Sequence, residues 1–417
     1  MGCGLTDRML AGLDIGTSKV TCVVAELDDD GQLCISSIGE AAMADGARQG
    51  LVVNLDQVAE TVERAIAQAE LVLPWSVDSV YLSISGDHVR GFAGRGSISV
   101  GNRSEGGASV VSMEDVQRAE EAARAVSLPP GCLVLDTVRR DYSADGFDRL
   151  SQPPLGLKAE QISARIYTVI ADKVAVENLM SCVEEAGRDV AGLVPAAVAS
   201  GRAVLSDDEM DVGVVSVDMG AGTTDLAIFQ DGSLAHLAVI PMGGELITGD
   251  LQALRIARES AEEIKREWAV ANPALVDPNK TMKVSRLGGR GTFTVTHSVV
   301  SQIVIDRFRE IMEAVADELG RAGFRPEDLP AGMVLTGGSS RLRGAREMAG
   351  DITGLGVELG RPDRFRIATD LVASPEYSTA SGLLPLALDG DGERGISAKG
   401  IVGEIVDKLR DLFGKVR

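Results

Sequence analysis

The stretch Val214-Val-Ser-Val-Asp-Met-Gly-Ala-Gly-Thr-Thr-Asp-Leu-Ala-Ile-Phe229 is an apolar strand ending in aspartate, a turn of small and hydroxyl residues, and a second apolar strand. Half a chain earlier the same pattern is already present, in Ala11-Gly-Leu-Asp-Ile-Gly-Thr-Ser-Lys-Val-Thr-Cys-Val-Val24. The separation is too long for a solenoid repeat and suits two related domains. We therefore expect a duplicated α/β fold with a site between its halves.

At 417 residues and 45% hydrophobic composition the chain can fill two cores and smaller inserted units. Acidic residues outnumber basic ones by 62 to 41, for a net charge of −21, so the mean field repels polyanions and no nucleic-acid partner is expected. Cys3, Cys22, Cys34, Cys132 and Cys182 are scattered, with no CxxC and no histidine near enough in sequence for a zinc pattern; they read as small core residues in a reducing compartment. His88, His236 and His297 stand apart as well, which disfavours a metal site or a histidine-based triad. No leader-type apolar region opens the chain, and no stretch approaches the roughly 20 apolar residues of a membrane span.

Along the chain, periodicity predicts a strand at Leu33 to Gly39, a helix from Asn54 to Glu70 and a strand at Val77 to Ser85. Gly91 to Gly107 is rich in Gly, Ser and Arg and reads as the start of an insertion. A helix from Met113 to Val126, strands at Leu133 to Tyr142 and Gln161 to Ala171, and a helix from Lys173 to Ala186 follow. After the second hairpin come a strand at His236 to Pro241, one long helical stretch from Thr248 to Ala271, an irregular segment from Ala274 to Arg290, a short strand at Thr292 to Thr296 and a helix from Val299 to Ala322. Beyond Asp389 the composition cannot bury a core and reads as a linker.

Turns of glycine and hydroxyl residues let backbone N–H groups approach phosphate oxygens with no Cβ in the way, and Thr or Ser adds donors. Gly16-Thr-Ser-Lys19 and Gly220-Ala-Gly-Thr-Thr224 have this make-up. Lys19 and a divalent cation would supply counter-charge, and Asp14 and Asp218, at the strand ends, are placed to hold the hydration shell of Mg²⁺. One such turn alone is an ordinary hairpin. Two copies, with a third glycine turn at Gly337-Gly-Ser-Ser340 after an apolar strand, favour a nucleotide site. GxxxxGK[ST] is absent, and the GxGxxG string at Gly390-Asp-Gly-Glu-Arg-Gly395 lies in the linker rather than between a strand and a helix, so neither a P-loop nor a dinucleotide-binding turn is indicated.

The ordered set Asp14-Ile-Gly-Thr17, Asp218-Met-Gly-Ala-Gly-Thr-Thr-Asp225 and Leu335-Thr-Gly-Gly338 resembles the phosphate-1, phosphate-2 and adenosine motifs of the actin, heat-shock chaperone and sugar-kinase superfamily. The resemblance implies ATP and Mg²⁺ as cofactors. The nucleotide would be held by Gly16, Thr17, Ser18 and Lys19, by Gly220, Ala221, Gly222, Thr223 and Thr224, and by Gly337, Gly338 and Ser339. Asp14 and Asp218 would be the catalytic and metal-holding carboxylates. Ala261-Glu-Glu-Ile-Lys265 resembles the AExIK segment, which implies ribose and adenine contacts from Glu262 and Lys265. Ala196 to Gly201 and Thr379 to Gly382 look like the helices that cross at the interdomain hinge.

Within that superfamily the chain is most similar to the FtsA family of bacterial cell-division proteins, through Asp14-Ile-Gly-Thr-Ser-Lys-Val20, Ile84-Ser-Gly-Asp-His88, Ala203-Val-Leu-Ser-Asp-Asp-Glu209 and Pro241-Met-Gly-Gly244. The implied architecture is an actin-like, ribonuclease-H-like duplicated α/β fold of two domains. Subdomain 1A would occupy 9–85, an inserted subdomain 1C 86–165, the return of 1A 166–200, 2A 201–235, 2B 236–300, 2A again 301–360 and a last return to 1A 361–388. A flexible linker at 389–399 and an amphipathic membrane-targeting helix at 400–417 would close the chain. The insert is implied to mediate filament contacts and to meet later division proteins. Subdomain 2B is implied to receive the C-terminal peptide of FtsZ, where Arg286, Arg290 and Arg307 could pair with its carboxylates; solvated surface arginines are an equal reading of each. His297 stands where the family often has an arginine.

Two departures bear on chemistry. Ala221 replaces the middle glycine of the phosphate-2 run, and Val194 precedes Pro195 where related filament ATPases place a carboxylate that orients the attacking water. ATP binding with slow hydrolysis is therefore expected. In the tail, Ile401, Val402, Ile405, Val406, Leu409, Leu412, Phe413 and Val416 share one helical face, with five basic residues against three acidic ones between Lys399 and Arg417. By pattern alone this is an interfacial anchor for an anionic membrane or a helix that docks on protein; the family resemblance favours the membrane. A cytoplasmic pilus-machine adaptor like PilM and a small-molecule kinase are the competing readings, though no catalytic aspartate with a substrate loop is evident for the kinase.

Overall fold

The computed structural model describes residues 9–28, 30–101, 107–125, 127–289, 291–362, the backbone of 366–367, and 373–388. The linker and the 400–417 helix expected from the sequence lie outside the described residues, as does Arg290.

Two sheets carry the duplication. The first orders its strands Asp189–Pro195, Ser79–Ile84, Met9–Ile15, Lys19–Leu27 and Leu33–Ala42, with Arg366–Ile367 added at the edge. The second runs Val357–Leu359, Met333–Thr336, Val214–Met219, Thr224–Gln230 and Ser233–Ile240. Strand for strand the order and directions agree: an antiparallel meander of three, then two parallel strands on the far side of the first. In both, the parallel connection passes through a helix, as a crossover must. Asp14 pairs with Thr21 across the first hairpin and Asp218 with Asp225 across the second.

The halves differ in where they are interrupted. In the first, helix Leu55–Glu70 leads directly to strand Ser79–Ile84, and a separate unit intervenes before helix Lys173–Glu185. In the second, Gly244–Thr296 intervenes ahead of the long helix His297–Arg321. The first inserted unit is a four-stranded antiparallel sheet ordered Phe147–Leu150, Cys132–Ala144, Gln161–Asp172, Arg90–Ser99, with helix Met113–Arg124 on one face. Val116, Ala119, Ala144, Ile162 and Ala164 form a small core beneath that helix.

Arg90–Ser99, to which the glycine-rich sequence assigns no element, is a strand paired with ten consecutive residues of Gln161–Ile170. The glycines are there for approach. A Cβ at Gly96 would strike the Ala119 carbonyl of the covering helix, and one at Gly91 would strike the Tyr167 ring. The expected helix from Thr248 to Ala271 is instead two, Gly244–Leu251 and Arg258–Glu267. Between them Arg255 takes a left-handed conformation (φ 61°), its carbonyl accepts from Leu287 N–H at 2.9 Å, and Ile256 is buried. This loop contact and burial override helical periodicity. Within the segment expected to be irregular, Thr281–Ser285 pairs with Thr292–Thr296 as a hairpin.

Helices Ala196–Val204 and Ser378–Leu388 pack against each other between the sheets. Their small residues set the distance: a Cβ at Gly382 would run into the Ala199 carbonyl, and one at Gly201 would come 2.8 Å from the Phe229 ring. Gly12 has no room for a Cβ beneath the Ala380 carbonyl. Gly382→Val should therefore lower unfolding free energy by about 3 kcal/mol through overpacking. Gly320→Ala, in a helix with open space at the Cβ position, should raise it by about 0.5–1 kcal/mol. Urea unfolding of the two variants beside wild type checks both signs.

Candidate functional site

The surroundings of the two strand-end aspartates follow from register. Strand Ser79–Ile84 runs parallel to Met9–Ile15, which brings Ser83 alongside Asp14, and the Ser83 hydroxyl donates to Asp14 Oδ1 at 2.6 Å. Asp218 Oδ2 accepts from Thr379 Oγ1, on the crossing helix, at 2.8 Å. Asp225 accepts from Thr223 Oγ1 at 2.8 Å and, across the cleft, from Ser85 Oγ at 2.6 Å.

The two turns have the same closure: Gly16 N–H donates to the Lys19 carbonyl at 3.0 Å, and Gly220 N–H to the Thr223 carbonyl at 2.9 Å. They face one another so closely that a Cβ on Gly222 would lie 3.0 Å from Thr17 Cβ and 3.1 Å from Gln49 N. Gly222 is thus the position that forbids a side chain, whereas Ala221 is only partly buried. Ser18 is exposed at the tip of the first turn, and Thr224 begins the strand after the second, its hydroxyl donating to the Met242 carbonyl at 2.8 Å. The third turn closes the site from below. Gly337 has φ +84°, and a Cβ there would collide with Asp218 Oδ1 and sit 2.7 Å from the Met219 carbonyl oxygen. Beyond it Gly338 opens a short 3₁₀ turn, and Ser339 Oγ donates to the Gly220 carbonyl at 3.0 Å.

Lys265 and Glu262, one turn apart on helix Arg258–Glu267, are ion-paired at 2.7 Å. Lys265 Nζ also donates to the Gly244 carbonyl at 3.0 Å and Thr248 Oγ1 at 2.9 Å, so this pair braces the segment behind the second turn. Burial lowers the Lys265 pKa; burial raises that of Glu262, but the Lys265 charge and hydrogen bonds outweigh it. Lys19 is engaged as well. Its Nζ lies 2.6 Å from Glu40 and 3.3 Å from Glu376, and 4.4 Å from the Tyr377 ring centroid. An anion in the first turn must compete with two carboxylates for it.

Charge at the centre is negative and poorly hydrated. Burial, then the neighbouring Asp225 and Asp14, pushes Asp218 up to about 7; burial likewise carries Asp225 to about 6, and the Asp14 carboxyl is raised too. Such a cluster favours a cation. Among the described residues no three His, Cys, Asp or Glu side chains are close enough to ligate a metal directly. These carboxylates suit a hydrated divalent ion, held through water, beside an anion seated on the backbone turns.

Comparisons with known proteins bear on the family and the fold. A family described as "SHS2 domain inserted in FTSA" matches residues 86–170, and "Cell division protein FtsA" matches residues 215–382. Cell division protein FtsA of Pseudomonas aeruginosa is 37% identical over 91% of this chain and 89% of its own length. That of Neisseria meningitidis is 35% identical over 95% and 94%. The chain belongs to the FtsA family. Solved structures place the fold more widely. The PilM-PilN type IV pilus biogenesis complex is similar at a TM-score of 0.60 and 16% identity, covering 90% of this chain and 97% of that one. MreB5 of Spiroplasma citri bound to ADP reaches 0.55 and 14%, covering 91% and 96%. The fold is actin-like, as expected.

Of the arginines expected from the sequence to meet a partner peptide, Arg286 stacks its guanidinium 4.9 Å from the Phe293 ring centroid, while Arg307 is held by Asp250 at 2.6 Å and Glu310 at 2.6 Å. His297 is a core residue. Its Nδ1 accepts from Asp277 N–H at 3.0 Å and its Nε2 donates to the Trp268 carbonyl at 2.9 Å, so it offers nothing to a surface peptide. Sequence reasoning missed Ser83, Ser85, Gln49 and Glu376, and took Thr379 only as a hinge residue. The signal for Ser83 was present: its hydroxyl sits near the end of a strand that neighbours the one ending in Asp14.

Because folding raises the Asp218 pKa from 3.8 to about 7, its stabilising contribution is complete below the unfolded value and is lost as pH rises through the folded one. Asp218→Asn, which cannot ionise, should then melt above wild type near pH 8 without nucleotide, and show no such advantage near pH 4. Melting temperatures at the two pH values check this; an equal difference at both would contradict it.

Proposed function

We propose that this chain is an ATP-binding cell-division protein that polymerises, tethers FtsZ filaments to the inner face of the cytoplasmic membrane at the division site, and recruits later division proteins through its inserted unit. The observation that carries the nucleotide reading is the pair of equivalent turns, Gly16–Lys19 and Gly220–Thr223, facing each other across buried carboxylates. ATP phosphates would lie between these turns on backbone N–H groups, with Mg²⁺ hydrated beside Asp14 and Asp218. Glu262 and Lys265 would face the ribose and base, with Gly337, Gly338 and Ser339 beneath.

Hydrolysis would be slow. Val194 is fully buried and apolar at the end of strand Asp189–Pro195, and it supplies no group to orient or deprotonate water. Steady-state turnover should fall well below the roughly 1–100 per second of kinases; a rate in that range would overturn the slow-ATPase reading.

FtsA membership supports the adaptor role and the tail supports the anchor, with Ile401, Val402, Ile405, Val406, Leu409, Leu412, Phe413 and Val416 as the buried face. One such helix binds weakly, and filament formation would multiply it by avidity. The direct test is co-sedimentation with anionic vesicles, with and without ATP and Mg²⁺, of the full chain and of the chain ending at Asp389. Binding lost on truncation, lost also when Leu412 and Phe413 become charged, and strengthened by ATP is the expected result. If both chains stay in the supernatant, the anchor reading fails and a PilM-like adaptor without a lipid anchor takes its place.

A further inference from the structure

Ser233–Ile240 is the outer strand of the second sheet, and an outer strand leaves a row of backbone groups with no strand to pair with. Here side chains of the first half reach that row at three positions. Arg140 Nη1 donates to the Ser233 carbonyl at 3.5 Å, and Gln49 Nε2 to the Pro241 carbonyl at 2.7 Å. Between them the Tyr167 hydroxyl accepts from Leu237 N–H at 2.8 Å and lies 3.4 Å from both the Leu237 carbonyl and His236 Nδ1, one of which takes its proton. His236 is itself held through Nε2 by Glu318 at 3.0 Å. The three capped positions fall at intervals of four residues, from the end near Gln230 to the end beside the phosphate-type turn.

The central contact, at Tyr167, is set in a dry seam, while the Gln49 contact at the turn end is open to solvent. Tyr167 is 3% exposed, with its ring edge toward His236, and Leu135, Val138 and Val169 of the inserted sheet share one apolar core with Phe229, Leu234 and Leu237. A buried hydroxyl and amide that lose each other without water are costly to separate. Any motion that parts the two turns pulls Gln49 from Pro241 and strains the Tyr167 and Arg140 contacts with it.

We propose that this seam is a clasp: Tyr167 sets how readily the two halves separate, and so how fast nucleotide leaves, which ties the position of the inserted unit to the state of the cleft. The release half of this inference rests on the nucleotide reading above. The test uses Tyr167→Phe, which keeps the ring and its packing and removes only the hydroxyl, with Arg149→Ala, at an exposed position of strand Phe147–Leu150 of the insert, as control. Two readouts are taken on the full chain: hydrogen–deuterium exchange at the seam amides of Phe229 and Leu234, which the Tyr167 hydroxyl does not bond, and release of a fluorescent ATP analogue after mixing with excess ATP. Both should quicken by roughly five- to tenfold in Tyr167→Phe and stay unchanged in Arg149→Ala. Faster amide exchange with unchanged release would overturn the coupling, and unchanged amide exchange would overturn the clasp itself. If wild type does not bind the analogue, the nucleotide reading and the release half fail together, while exchange at Phe229 and Leu234 still decides whether the seam is a clasp.

Discussion

The two halves meet backbone to backbone, where Gly382 lies against the Ala199 carbonyl with no space for a side chain between them. That approach governs the rest. It brings helix Ser378–Leu388 down onto Gly12 of one sheet and helix Ala196–Val204 onto Phe229 of the other, so each sheet is covered by a helix that enters from the opposite half. With the sheets held at that distance, the strands ending in Asp14 and Asp218 present their turns to each other, and Thr379, three residues before Gly382, reaches the Asp218 carboxylate. A bulkier residue at the crossing would move every one of these groups, although none of them touches it.

Much of this was legible because it depends on local pattern. An aspartate at the end of an apolar strand, followed by small and hydroxyl residues, has few conformational options, and two copies define a duplicated fold before any long-range contact is known. Helix Leu55–Glu70 was equally readable, since Asn54 caps it and its apolar residues keep a helical period. The failures share a cause. Arg90–Ser99 carries no strand signal because its glycines answer to the helix and tyrosine packed on it, and the break at Arg255 is held by a loop more than thirty residues away in sequence. Ser85 and Glu376 escaped notice for the same reason, as their partners Asp225 and Lys19 come from the other half of the chain or from its opposite end.

The site's electrostatics make it dependent on what it binds. Three carboxylates lie in a region where water is scarce, while the lysine nearest the first turn is tied to Glu40 and Glu376. Glu376 is also held by Arg341, just after the third turn. A ligand that drew Lys19 toward the first turn would therefore weaken one of the ties on Glu376 and leave Arg341 as its remaining cationic partner. Occupancy of one turn would be felt at another through a shared carboxylate.

The capped outer strand has a consequence for solubility. Exposed strand edges are the common route by which β-rich proteins recruit one another into disordered aggregates. Along Ser233–Ile240 the Ser233 carbonyl and the Leu237 N–H are engaged by side chains, and Pro241, where the strand ends, has no N–H to offer. A chain proposed to assemble in ordered rows has thereby closed one of the edges through which assembly could proceed without order.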